Sequence, residues 1–276
     1  MSTMSIGIET ITPQVAERYL QMNRRNRSVR PSEIEKNARM MAAGEWGLTH
    51  QGIAFNEDGA LVDGQHRLLA IVKSGTTVPM VVARGVESSM QINMDNHARR
   101  TPSDCLTVHR GEKVNSDDVA VLRAALSLSR GAFASAISNR ELDSGLDTFH
   151  DSLAFCRRFT QTKQRGVTSA PPFAAVALAW FYVPDLERLA QFCDMLVGNT
   201  LAKQECDNAA ILVREWLLQI GVSSGGAARL KAFMKTQRAI VAFAECRPLH
   251  KLYGTNLYFP YPLVKPVRAS SKEIRL

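Results

Sequence analysis

The sequence contains no Cys-x-x-Cys pair. Its five cysteines, Cys105, Cys156, Cys193, Cys206 and Cys246, are scattered singly, without the paired histidines of a zinc site. Buried free thiols in a reducing compartment are the expectation. His50, His109, His150 and His250 have no partners at ligand spacing either, which excludes a metal site built on histidine. The longest apolar run, residues 172–183, is too short to cross a bilayer, and nothing at the N-terminus reads as a signal peptide. A soluble, cytoplasmic protein with no membrane partner is expected. No internal repeat is visible.

What is present is ample apolar content. A chain of 276 residues that is 45% hydrophobic can bury one large core or two ordinary ones, which excludes disorder over most of its length. The net charge of +8 and pI near 9.4 favour polyanionic partners, DNA among them.

Along the chain, Ile6-Gly7-Ile8 reads as a short strand. Thr12-Pro13 starts a helix carrying Val15, Tyr19 and Leu20. Residues 23–30 then hold four arginines, Arg24, Arg25, Arg27 and Arg30. A second helix from Pro31 or Ser32 stops at Gly44. Residues 52–55 and 60–62 read as strands around the turn Asn56-Glu57-Asp58-Gly59, residues 65–74 as a helix ended by Gly75, and residues 78–83 as a further strand. Another helix is expected from Ser88, and Thr101-Pro102-Ser103-Asp104 looks like a helix start.

Beyond residue 115 the pattern is helical, with segments at 116–129, 146–159, 172–183, 184–197, 207–220 and 227–246. Residues 131–145, rich in Ser and Ala, read as the loosest connection, and the tail after Tyr253 as extended and basic. The fold class is therefore α+β: a small mixed domain over 1–104, then an all-α domain over 105–276.

The chemistry concentrates at Asp63-Gly64-Gln65-His66-Arg67, between an apolar strand end and an amphipathic helix. Such a junction suits an anion. Glycine lets the backbone approach a ligand, the helix start points amides and positive dipole outward, and Arg67 can fork onto phosphate oxygens. A nucleotide or another phosphate is the expected ligand. Arg67, Arg30 and Arg27 would clamp the charge, and His66 could donate to a phosphate oxygen. Asp63 could hold Mg2+ or take an acceptor proton, making Asp63 and His66 the catalytic candidates. The plainer alternative makes Asp63 the N-cap of the following helix and Arg67 a surface charge. Asp95-Asn96-His97 with Arg99-Arg100 forms a second polar cluster, which reads equally as a solvated helix end. Trp46, Trp180 and Trp216 read as core.

The first hundred residues resemble the ParB/sulfiredoxin superfamily, specifically the ParB N-terminal-like (ParB-like nuclease) proteins of phages and mobile elements. The order agrees: strand, arginine-bearing loop, helix, strand hairpin, a Gly-containing motif ending in Arg at a helix start, helix, Gly75 and an apolar strand. The resemblance implies that Gly64 to Arg67 matches the nucleotide-phosphate motif, Gly-Glu-Arg-Arg in ParB and Gly-Cys-His-Arg in sulfiredoxin. It also implies that Arg27 or Arg30 matches the arginine loop that meets the same phosphates of ATP or CTP. Gln65 stands where sulfiredoxin has its reactive cysteine, so sulfinic-acid reduction by that route is not expected. His66-Arg67 replaces the double arginine of ParB.

An NTP-dependent phosphotransferase or NTP hydrolase linked to DNA or nucleotide metabolism is the expected function. The alternative is a nucleotide-switched DNA-binding protein, although the helical half shows no clear recognition helix. Lys231, Lys235, Arg238 and the tail residues Lys265, Arg268, Lys272 and Arg275 could contact DNA phosphates. Plain nuclease activity ranks last for want of a carboxylate cluster. The sequence allows a homodimer.

Overall fold

The computed structural model describes residues 4–24, 26, 28–89, 100–130, 137–221, 225–254 and 256–262. The chain divides into two compact units at Arg99/Arg100. The helix Pro102–Arg110, inside which the sequence reading put its boundary, belongs whole to the second unit.

The first unit is a four-stranded sheet with three helices. Its strands are β1 (Ser5–Ile11), β2 (Ile53–Asn56), β3 (Leu61–Asp63) and β4 (Val78–Val86), in the order β1-β4-β2-β3. β1 runs antiparallel to β4, β4 parallel to β2, and β2 antiparallel to β3. The helices are α1 (Pro13–Leu20), α2 (Pro31–Ala42) and α3 (Gln65–Ser74). Alternation along the strands buries Ile53, Phe55, Met80 and Val82 in one core with Leu68 and Ile71 of α3 and Met41 of α2. Ile6 and Ile8, on the other face of β1, remain exposed. Thr12 caps α1 by accepting from Val15 N at 3.2 Å, and Gly75 closes α3 at φ 68°. Trp46 packs against this core, as expected.

The second unit has helices and connecting loops and no strand among its described residues. It comprises α4 (Pro102–Arg110), α5 (Ser116–Ser129), α6 (Asn139–Thr148), α7 (His150–Arg157), α8 (Ala170–Tyr182), α9 (Leu186–Val197), α10 (Asn208–Ile220) and α11 (Gly226–Ala244). α8 is its axis: every residue from Pro171 to Ala179 is buried, and its run of alanines lets α5 and α11 pack closely. No helix among the described residues is long and apolar enough to cross a membrane.

Three expectations are corrected. The segment 146–159 is two helices meeting at Phe149, a fully buried residue whose carbonyl accepts from Leu153 N at 2.8 Å and starts the second helix. Residues 139–145, taken as connection, form the first turns of α6, because Ser138 and Glu141 make a reciprocal capping box that outweighs a composition rich in Ser and Ala. The cysteines are not all free thiols: Cys206 and Cys246 pair as a disulfide with Cα atoms 5.0 Å apart, while Cys105, Cys156 and Cys193 are free. The pairing joins residues 40 apart in sequence, a proximity that only the packing of α10 and α11 creates. The expected helix from Ser88 continues outside the described residues.

Beside that disulfide, Asp207 anchors the start of α10. Its carboxylate accepts from Lys203 N at 2.9 Å and Gln204 N at 3.1 Å, and pairs with Arg188 Nη2 at 3.1 Å. Burial pushes the carboxyl up, but the two amides and the guanidinium outweigh it and hold Asp207 below the ordinary aspartate range. A lowered folded-state pKa gives stability that is present above the unfolded carboxyl pKa and is lost as pH falls through the folded one. Asp207→Asn should therefore cost about 2–3 kcal/mol near neutral pH, and the gap to the parent should close in acid. Urea unfolding at pH 7 and pH 2 reads both; a gap independent of pH would show that the charge is not what stabilises.

Candidate phosphate-binding site

The turn between β3 and α3 depends on one backbone conformation. Gly64 sits at φ 101°, in the left-handed region, as the N-cap of α3, and makes no side-chain cap bond. The positive φ favours glycine, and a Cβ there would stand 3.1 Å from Ile53 Cα, a tight contact that adds to the strain. Its carbonyl accepts from Arg67 N and Leu68 N, each at 3.0 Å, closing the first turn. Asp63 is not the cap. Its Oδ1 instead accepts from Gly64 N at 2.6 Å and its Oδ2 lies 3.3 Å from Arg67 Nη1.

Arg67 is partly committed. Nη1 donates to the Gly52 carbonyl at 2.5 Å as well as facing Asp63, and the side chain is 19% exposed. Gly52 must be glycine, since a Cβ would meet Val81 O at 1.8 Å where β2 approaches β4. No described residue takes up Nε or Nη2 of Arg67.

The arginine loop is tied to this turn at several points. Arg30 N donates to His66 Nε2 at 2.9 Å, and Asn23 Nδ2 donates to Gln65 Oε1 at 3.1 Å. Asn26 Nδ2 bridges Asn23 Oδ1 and the Leu61 carbonyl, and Leu61 N donates to the Met22 carbonyl at 3.0 Å. His66 and Gln65 are buried, so these bonds are shielded from water, whereas the Arg30 side chain is exposed. Gln65, His66, Arg67 and Arg30 thus gather at the start of α3. Arg27 lies outside the described residues, as do Asp95, Asn96, His97 and Arg99.

The bonds constrain the chemistry. With Nε2 accepting from Arg30 N, His66 can offer only Nδ1 as a donor. Both Asp63 oxygens have internal partners, and no group of three His, Cys, Asp or Glu among the described residues could hold a metal. Asp63 suits Mg2+ only as a single carboxylate supplementing phosphate ligands. Sequence reasoning missed Asn23, Asn26 and Gly52; the i, i+3 asparagine pair was the one local signal for the loop tie.

Comparison with protein-family models, curated proteins and solved structures finds no match in any of the three.

Gly64→Ala should cost about 1–3 kcal/mol of unfolding free energy by urea titration, from strain at positive φ and contact with Ile53. His66→Ala should abolish the slow hydrogen exchange of the Arg30 amide while leaving that of Leu68 in place. Unchanged Arg30 protection would show that the imidazole does not tie the loop.

Proposed function

We propose that the chain is a nucleotide-binding protein resembling the ParB/sulfiredoxin type. In this reading its first unit takes the phosphates of ATP or CTP, with Mg2+, at Gly64, Gln65, His66, Arg67 and Arg30, joined by Arg27. It then hydrolyses the nucleotide or transfers a phosphoryl group in the DNA or nucleotide metabolism of a phage or mobile element. The observation that carries this reading is the convergence of two arginine-bearing segments on a glycine-opened helix start, held together by the bonds to His66 and Gln65. The uncommitted edge of Arg67 and the exposed Arg30 would meet phosphate oxygens, and Asp63 would release its internal partners to reach a metal carried by those phosphates. The metal would supply charge neutralisation when bound.

A second reading, a nucleotide-switched DNA-binding protein without turnover, has its own support. The two catalytic candidates, Asp63 and His66, are engaged internally, and the His66 bond makes the arginine loop sensitive to whatever occupies the turn.

The full-length protein should bind at least one of ATP, CTP, GTP or the dNTPs, measured calorimetrically with Mg2+. Arg30→Ala and Arg67→Ala should each weaken binding about 10- to 100-fold, the range for a lost charged hydrogen bond. Arg30 is the cleaner probe because its side chain has no described partner. Phosphate release that falls with binding identifies the enzyme, binding without release identifies the switch, and binding unchanged in both variants defeats the site.

A further inference from the structure

The helix α11 carries four cations, Arg229, Lys231, Lys235 and Arg238, and no carboxylate, and residues 247–262 beyond it contain no Asp or Glu either. Lys231, Lys235 and Arg238 stand at i, i+4 and i+7, so they share one face over about 10 Å of helix. None of the three has an ion pair with a described residue. By contrast, Arg110, Arg157, Lys163 and Arg188 of the same unit each face an aspartate.

In place of acids this face has aromatic rings. Lys235 Nζ lies 4.4 Å from the centroid of the Trp216 ring of α10, and Arg238 Nη1 donates to Tyr258 Oη at 3.0 Å. The chain beyond α11 folds back along the helix. At Gly254 it passes so close that a Cβ would stand 2.8 Å from Lys235 N, and further on Tyr258 N and Phe259 N donate to Gln237 Oε1 at 2.8 and 3.2 Å. This brings Tyr253, next to Gly254 and 61% exposed, beside the basic face. Lys231 and Lys251 are exposed as well.

Phosphates answer such charges, and unstacked bases answer such rings. A duplex supplies only the phosphates, because its bases are already stacked on one another. Nor is α11 equipped to read a groove: its one amide side chain, Gln237, is fully buried and bonded to Tyr258 and Phe259. Burial, then the charge of Lys231, draw the Lys235 pKa down, which makes an anion welcome at the same place.

We propose that this strip of α11, with Tyr253 beside it, binds single-stranded nucleic acid, placing Lys231, Lys235 and Arg238 on phosphates and Tyr253 against a base. The strip does not rest on the nucleotide reading of the first unit, since all of these residues belong to the second.

A short fluorescently labelled oligo-dT, titrated with the full-length protein in the absence of NTP and followed by anisotropy, reads the binding. Three phosphate contacts predict that log K falls with log salt concentration at a slope of about −2, because each contact on a single strand contributes about −0.7. Lys231→Ala should flatten the slope by about 0.7, whereas Lys113→Ala, at an exposed lysine between α4 and α5, should leave it unchanged. Tyr253→Ala should weaken binding about 5- to 100-fold and Tyr253→Phe should restore it, since the ring stacks and the hydroxyl does not. Lys231 and Tyr253 are both exposed, so neither substitution threatens the fold. A duplex of the same length should bind more weakly than the oligo-dT. Absence of oligo-dT binding at low salt overturns the proposal, and so does a Tyr253→Ala variant that binds like the parent or a duplex that binds as tightly. Equal losses from Lys113→Ala and Lys231→Ala also overturn it, because they would reveal diffuse attraction to a chain of net charge +8.

Discussion

The bond from the Arg30 amide to His66 Nε2 is what makes a site out of two distant stretches of sequence. Arg30 precedes α2 and His66 opens α3, and this tie, with its neighbour from Asn23 to Gln65, holds the arginine loop directly against the helix start, while the bonds of Asn26 and Met22 to Leu61 hold it to β3. A neutral imidazole can accept one bond and donate one. Spending the acceptor on Arg30 leaves Nδ1–H as the ring's one donor. The left-handed Gly64 completes the arrangement by turning the chain from β3 into α3 within one residue, which is why residues 63–67 can face a single point.

The elements of the first unit were legible because each is announced by local chemistry. Thr12-Pro13 and Gly75 mark helix ends by capping and by positive φ, and period-two alternation marks the strands. The position of the candidate site was legible for the same reason, since a glycine between strand and helix followed by His and Arg is a local pattern. What each side chain does there was not. Asp63 has the composition of an N-cap, yet it binds the Gly64 amide and Arg67 instead, because Gly64 holds the N-cap position. Gly52, whose carbonyl holds Arg67, is identifiable only once β2 and β4 are in register.

In the helical unit the errors follow the same division between local and long-range information. Buried apolar helices announce themselves by spacing, so α5, α8 and α9 fall close to expectation. The break at Phe149 lies inside continuous apolar periodicity, because Phe149 serves both helices by packing against Phe181 with ring centroids 4.9 Å apart. The Cys206–Cys246 pairing and the contacts of Gln237 are long-range in the same sense. Gln237 is fully buried on α11, and its amide accepts from Tyr258 N and Phe259 N and donates to the Phe259 carbonyl. That pattern fixes part of a tail which composition alone describes as extended.

The placement of positive charge in the first unit bears on what a net charge of +8 means here. An excess spread over solvated lysines would say little beyond solubility. In the first unit, Arg84 answers Glu9 and stacks on Tyr19 and Phe55, Lys73 answers Glu35, and Arg67 answers Asp63, which leaves the unanswered described cations of the loop, Arg24 and Arg30, on an exposed segment leading to α2. Exposed cations keep their hydration and cost little until a ligand arrives, so they suit a partner that comes and goes.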